Sequence, residues 1–299
     1  MVINNIALQG LRTTFSAAFN KAFQTTETHK DRIATTVPSS TKLNTYGWLG
    51  DFPSMREWIG EREINNLSEK SYSVENRHFE MTIGVNRDDI EDDNLGMYTI
   101  KMEQMGQSAK EHQDIMVIEM LPKGFKSKCY DGLSYFHDAH KVGKKQYSNR
   151  GDAKLSADSY AMAKATMAGY KNERETAINI RPNLLVVPPH LEKMGREILT
   201  ADIINGTTNP WKGSAELLVD ANILNDEYPD NWFLLDVSKA LKPIIFQLRK
   251  ATKFVSKVNE NDSNVFYQNM YIYGADGRYN TGYSFWQLAY GSTGTGEAN

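Results

Sequence analysis

Apolar residues recur at helical spacing through residues 2–24, where Ile6, Leu8, Leu11, Phe15, Ala18, Phe19 and Phe23 fall near one face of a predicted helix. The pattern then stops. Residues 25–45, TTETHKDRIATTVPSSTKLNT, are rich in Thr and Ser with one Pro, and such a composition buries no core. They are expected to form an extended arm or linker. A terminal helix on such a tether either docks on its own body or reaches a neighbouring subunit. Alternation takes over at Tyr72 and Val74 and again at His78–Val85, where Phe79, Met81, Ile83 and Val85 share a face. The region from about 60 to 87 reads as an elongated β-hairpin-like excursion with little apolar surface of its own. The clearest element follows. Leu95, Tyr98, Met102, Met105, Ala109, His112 and Met116 step by three and four, one continuous helical face. Asp92 and Asp93 precede it as an N-cap and a favourable charge for the helix dipole, and Pro122 and Gly124 close it. The span of about 27 residues gives roughly 40 Å of helix, far above the usual 11–12 residues. A coiled coil is the alternative, but the seam runs for few heptads and includes a histidine.

Residues 129–155 are loop-rich and basic. A second helix is predicted at 156–171, capped by Ser156, with Tyr160, Ala163, Met167 and Tyr170 on one face. Leu184–Val187 is a short apolar strand ended by Pro188 and Pro189, and a helix follows at Leu191–Leu199. Strands are expected at Leu217–Val219, Trp232–Asp236, Ile244–Leu248, Val265–Ile272 and Ser284–Ala289. Asp276-Gly277 is read as the turn between the last two, and the tail GSTGTGEAN as flexible. Helices and antiparallel strands are segregated, so the class is α+β.

Composition sets the limits of function. Of 299 residues, 40% are hydrophobic and 24% charged, which fits a globular chain and neither a disordered nor a membrane one. The N-terminus has no basic segment followed by an apolar core, so no signal peptide is read. A net charge of -3 argues against a dedicated nucleic-acid binder, though not against a protein that encloses nucleic acid. The single cysteine, Cys129, excludes an intramolecular disulfide and a Cys-rich zinc site, and reads as a small buried residue rather than a catalytic thiol.

Candidate chemistry is sparse. His137, Asp138 and His140 form the best metal candidate, and a metal-dependent hydrolase built on them is the alternative to a structural role. No third ligand is placed, and a histidine pair on a polar loop is usually only polar. The acidic run Asp88, Asp89, Glu91, Asp92 and Asp93 lacks EF-hand spacing and is explained by a helix N-terminus. No Walker loop, nucleophile elbow or H-E-x-x-H motif occurs. The aromatics Tyr46, Trp48, Phe52 and Trp58 in YGWLGDFPSMREWIG suit an interface or a loop packed on a core. An arm, a thin excursion and one over-long helix on an α+β body describe a subunit whose missing burial is supplied by copies of itself.

The stretch YGWLGDFPSMREWIGER at 46–62 resembles the signature of the Mu-like major head subunit family of tailed bacteriophages and prophages. So do NRHFE at 76–80, VNRDDIEDDNLGMY at 85–98, CYDG at 129–132, LLVVPP at 184–189 and YGADGR at 273–278. The similarity covers most of the chain and is most specific between 46 and 98. The basic loop at 141–150 and the tail are less characteristic.

The resemblance implies the Hong Kong 97 phage capsid fold: an N-terminal arm at 1–45, an aromatic segment and extended E-loop at 46–92, a P domain at 93–180 with its spine helix at 93–121, an A domain near 181–260, and a return to the P domain with a flexible tail at 261–299. It implies a non-enzymatic major capsid protein without cofactor or metal, forming pentamers and hexamers of an icosahedral shell. Trp48, Phe52, Arg56, Trp58, Arg62, Phe79 and Arg87 would lie at inter-subunit contacts. About 45 residues precede the first signature, so a separate scaffolding protein is expected, together with a portal. Packaged double-stranded DNA would be touched weakly and non-specifically. The location implied is the virion, assembled in the bacterial host cytoplasm with no membrane. A tail-tube or decoration protein is a further structural alternative.

Overall fold

The computed structural model describes residues 5–47, 49, 72–92, 95–204, 206–259 and 261–296. The first helix, α1 (Asn5–Thr25), is followed by a single turn, α2 (Lys30–Ile33), and the strands β1 (Ala34–Pro38) and β2 (Leu43–Thr45). Then come β3 (Ser73–Glu75), β4 (Arg77–Asn86), α3 (Arg87–Glu91), the long helix α4 (Leu95–Ile118) and α5 (Met120–Lys123). A short ribbon, β5 (His140–Val142) and β6 (Lys145–Tyr147), leads to β7 (Arg150–Gly151) and α6 (Ala157–Ala168). The remainder is β8 (Leu184–Val187), α7 (Glu192–Thr200), β9 (Ile203–Ile204), β10 (Thr207–Thr208), β11 (Glu216–Val219), β12 (Trp232–Leu235), β13 (Ile244–Lys257), α8 (Ser263–Gln268), β14 (Met270–Tyr283) and β15 (Ala289–Ser292). No described helix is long and apolar enough to cross a membrane.

Two sheets organise the body. The first runs β1-β13-β14-β4, with β1 parallel to β13 and the other pairs antiparallel. Alternation along β4 turns Phe79, Met81, Ile83 and Val85 toward the helices and leaves His78, Glu80 and Thr82 exposed. α4 and α1 pack on that inner face. Phe15 meets Tyr273 edge-on at 5.1 Å and Phe19 meets Phe254 at 5.6 Å, with Met102 and Met105 fully buried beside them. At 24 residues, α4 is about 36 Å long. The stripe read from sequence is its buried side at Met102, Met105 and Ala109, with Tyr98, His112 and Met116 partly covered. Phe15 and Phe19 are wholly buried within this chain, so the terminal helix docks on its own body. Each such ring contributes about 1.5–3 kcal/mol by leaving water.

The second sheet runs β11-β8-β12-β15-β7 and is mixed, with β8/β11 and β15/β7 parallel. Its strands β8, β12 and β15 are buried at every position, as a sheet covered on both faces requires. α6 closes one side, started by a reciprocal Ser156–Ser159 capping box.

Several expectations are corrected. The arm at 25–45 is structured: β1 joins the first sheet, and His29 N–H donates to the Asp114 carboxylate of α4 at 3.0 Å. Of the excursion expected at about 60 to 87, residues 60–71 lie outside the described residues; in the rest, β3 pairs with β2 and β4 with β14. Asp92 caps the C-terminus of α3, whose own N-cap is Asn86, and Asp93 lies outside the described residues. Asp276-Gly277 makes no turn. Both sit inside β14, where Asp276 takes Lys250 Nζ at 2.6 Å and a Cβ on Gly277 would lie 2.8 Å from Thr252. Residues 263–268 are helical rather than extended, and 286–288 form a single 3₁₀ turn before β15. The tail is packed through residue 296: Thr293 is buried, and Gly296 N–H donates to Asp152 C=O at 2.7 Å.

Candidate functional site

Three places carry candidate function. The first is the base of the aromatic segment. β2 and β3 form an antiparallel ribbon, Leu43 opposite Glu75 and Thr45 opposite Ser73. Tyr46 anchors it: buried, it donates to Gln247 Oε1 at 2.7 Å, and burial pushes its hydroxyl up to about 12. Asn76 Nδ2 ties the other side to Ser39 Oγ and the Thr41 carbonyl, each at 2.8 Å. Trp48, Phe52, Arg56, Trp58 and Arg62 lie outside the described residues. Phe79 stacks on Tyr279 at 4.8 Å and meets His112 at 4.6 Å, with the Arg77 guanidinium 5.5 Å over its ring. Phe79, His112 and Tyr279 border a cavity of about 130 Å³ under α4. His112 Nδ1 lies 3.0 Å from the Tyr279 hydroxyl, and burial holds the imidazole below its ordinary value, against Glu119, which raises it. Arg87 Nε donates to Glu91 at 3.1 Å.

The second place was hidden from sequence reading by the strand expected at 265–272. Phe266 and Tyr267 are 76% and 80% exposed, edge-to-face at 5.0 Å, on the short α8 that links the two longest strands. Ile6, Met97 and Ile100 are exposed too, on α1 and α4. The signal that would have placed the pair on a helix is Asp262 as N-cap with Asn269 ending it in the left-handed region.

The third is the histidine loop. Sequence reading grouped His137, Asp138 and His140; the two rings meet edge-on at 5.9 Å, but the three side chains take different partners. His137 Nδ1 accepts from Ala139 N–H at 3.0 Å, and Asp138 accepts from the Ser148 hydroxyl at 3.2 Å. His140 turns inward, fully buried, stacked on Trp286 at 4.3 Å and 6°. Its Nδ1 lies 2.5 Å from Asp131 Oδ2, and Cys129 Sγ donates to Asp131 Oδ1 at 3.2 Å. Cys129 Sγ, an Asp131 oxygen and a His140 nitrogen lie within 4.8 Å of one another. Burial pushes the Cys129 thiol far up, which favours the protonated form. Burial also acts to raise Asp131, but the His140 hydrogen bond and charge outweigh it and hold that carboxyl below its usual range. This geometry does not favour the hydrolase alternative: the His137 and His140 rings lie 5.9 Å apart, but the groups nearest His140 are Asp131 and Cys129, and Asp138 pairs with Ser148.

Comparison with known proteins bears on the whole chain. Residues 8–154, 143–224 and 219–299 match the family described as Mu-like prophage major head subunit gpT. The major capsid protein of Escherichia phage Mu is 30% identical over 289 residues, 97% of this chain and 74% of that protein. The Mu-like prophage FluMu major head subunit of Haemophilus influenzae is 31% identical over 287 residues, 96% of this chain and 73% of that protein. Among solved structures, a chain of the procapsid of bacteriophage JBD30 superposes with a TM-score of 0.64 at 32% identity, covering 97% of this chain and 76% of that one.

Proposed function

The chain belongs to the Mu-like prophage major head subunit family, has the Hong Kong 97 capsid fold and is a major capsid protein, and on that premise we propose that it assembles with copies of itself, as pentamers and hexamers, into the icosahedral shell of a tailed double-stranded DNA phage or prophage. The observation that carries this is the match of 96–97% of this chain to two head subunits. The role is structural, and its place is the virion.

Packing supports a division of the body that departs from the boundaries expected at 180 and 260. We read β1, β4, β13 and β14 with α1 and α4 as the P domain, α4 being its spine helix. The second sheet with α6 and α7 is the A domain. The segment after Tyr46, up to Tyr72, is the E-loop, carried on the β2/β3 stem. Trp48, Phe52, Arg56, Trp58 and Arg62 on that loop, with Phe79 and Arg87 near its root, are the proposed inter-subunit residues. Assembly in the host cytoplasm would use a separate scaffolding protein and a portal. DNA would meet the shell weakly, through exposed cations such as Lys141 and Lys144 of the β5–β6 ribbon, and those contacts would fade with salt.

Electron microscopy of concentrated subunit, with and without its scaffold, tests the reading. Closed shells or capsomer rings are expected. Stacked tubes would make it a tail protein, and monodisperse small particles under every condition would refute self-assembly.

A further inference from the structure

The buried cluster at the foot of the histidine loop holds two protons where a metal ion would place its bonds. His140 Nε2 lies 3.2 Å from the Tyr135 carbonyl, which only accepts, so the Nε2 proton is committed there. The same carbonyl is fixed by Asn149 Nδ2 at 2.9 Å, and stacking on Trp286 sets the ring plane. Nδ1 therefore faces Asp131 with a lone pair unless a second proton lies between them. The other mobile proton is on Cys129 Sγ. The turn carrying both other donors is itself tied: Leu133 N–H donates to Asp131 Oδ1 at 3.0 Å, Gly132 N–H to the Cys129 carbonyl at 3.1 Å, and Gly132 takes a φ of 83° that permits the fold-back.

We propose that Cys129 Sγ, a carboxylate oxygen of Asp131 and His140 Nδ1 form a structural site for one Zn²⁺ ion. A soft thiolate, an imidazole and one carboxylate are the donor set zinc takes, and three protein ligands leave a fourth position for water. An imidazole whose far N–H is spent on a backbone carbonyl is how ligating histidines are aimed. Binding is an exchange without electron transfer. The Sγ–H bond breaks and Sγ–Zn forms; the proton at Nδ1 leaves and Nδ1–Zn forms; both protons go to solvent. Two protons leave, one from Sγ and the one shared between Nδ1 and Asp131 Oδ2 across 2.5 Å, and one dication enters, so the net charge of the cluster is unchanged. Zinc bonds near 2.0–2.3 Å at a tetrahedral centre set ligand atoms roughly 3.3–3.6 Å apart, so donor atoms that already lie within 4.8 Å of one another would shift by about 1 Å. With Cys129 4% and His140 0% exposed, and the Asp131 side chain at 7%, the ion would be buried together with the water that completes its shell. It would pin the loop between α5 and β7 to the second sheet through Trp286.

The test uses the full chain, stripped with a chelator and titrated with Co²⁺ and then Zn²⁺ in weak buffer. One equivalent of Co²⁺ should give a thiolate-to-cobalt charge-transfer band in the near ultraviolet, which Zn²⁺ abolishes, with about two protons released per ion. Cys129→Ser should lose the band and bind Zn²⁺ at least ~100-fold more weakly. Absence of the band in the wild-type chain, or equal zinc uptake by the serine variant, overturns the proposal and assigns any bound metal to exposed pairs such as His190–Asp230. The spectral and proton readouts need no variant, so a Cys129→Ser chain that fails to fold leaves the test intact.

Discussion

Gly106 marks the closest approach of the two helices of the first layer, and it gives a test of whether α1 truly belongs to its own body. A methyl group added there would lie 2.3 Å from the Phe19 carbonyl oxygen and 3.1 Å from Ala22 Cβ. Ordinary contact begins near 3.4 Å, so α1 must retreat by about 1 Å, loosening Phe15 and Phe19. Alanine favours the helix over glycine by about 0.8–1.0 kcal/mol, while overpacking costs about 1–3 kcal/mol. The net for Gly106→Ala runs from near neutral to about 2 kcal/mol destabilising. Gly10, on α1, is exposed and meets nothing within 4 Å, so Gly10→Ala keeps the helix gain. The two variants should separate by about 1–3 kcal/mol, with wild type between them or level with Gly106→Ala. Urea unfolding followed by tryptophan fluorescence and far-ultraviolet circular dichroism reads the midpoints. Equal stabilisation by both substitutions would refute the docking of α1 against α4.

Other outcomes follow from the same geometry. Burial sets the folded His112 imidazole below its unfolded value of 6.5, so the neutral ring is favoured and its contribution is present above that pH and lost as pH falls through the folded value; His112→Gln should flatten the acid limb of stability below pH 6.5, and an unchanged pH profile would count against the burial argument. Ser156→Ala removes the Oγ that accepts the Ser159 N–H of the α6 capping box and should cost about 0.5–2 kcal/mol in thermal unfolding, with Ser156→Asp largely restoring it. A chain ending at Leu288 lacks β15 between β12 and β7 and should yield no soluble subunit; soluble, cooperatively unfolding protein from that truncation would refute the central place of the strand.

What the sequence disclosed depended on how local each signal was. The α4 stripe was legible because three-four spacing over many residues admits one reading, and Ser156 announced α6 by cap chemistry alone. Asp276-Gly277 misled because it is the strongest short hairpin signal in isolation. In the fold the ladder overrides it: Asp276 is held by Lys250 and His78, and Gly277 supplies room beside Thr252. The Gly/Thr tail looked flexible for want of large side chains, yet its small residues are what fit there. Gly294, at φ 67°, passes so near the Asp230 backbone that no Cβ fits. The partners of His140 were illegible for another reason. Asp138 was near in sequence, but Cys129 and Asp131 are brought to it by a turn and a loop closure that no spacing rule contains. Only the Cys-x-Asp pair on a glycine turn hinted at it.

Both sheets receive an interior strand from beyond residue 269: β14 lies between β13 and β4, and β15 between β12 and β7. Neither core can close on a growing chain. At about 5–20 residues per second, a ribosome spends roughly 15–60 s on the polypeptide before either sheet can be completed. A nascent subunit therefore lacks two interior strands until this late stretch has been made, and on this topology the order of synthesis delays the surfaces that a growing shell edge would need.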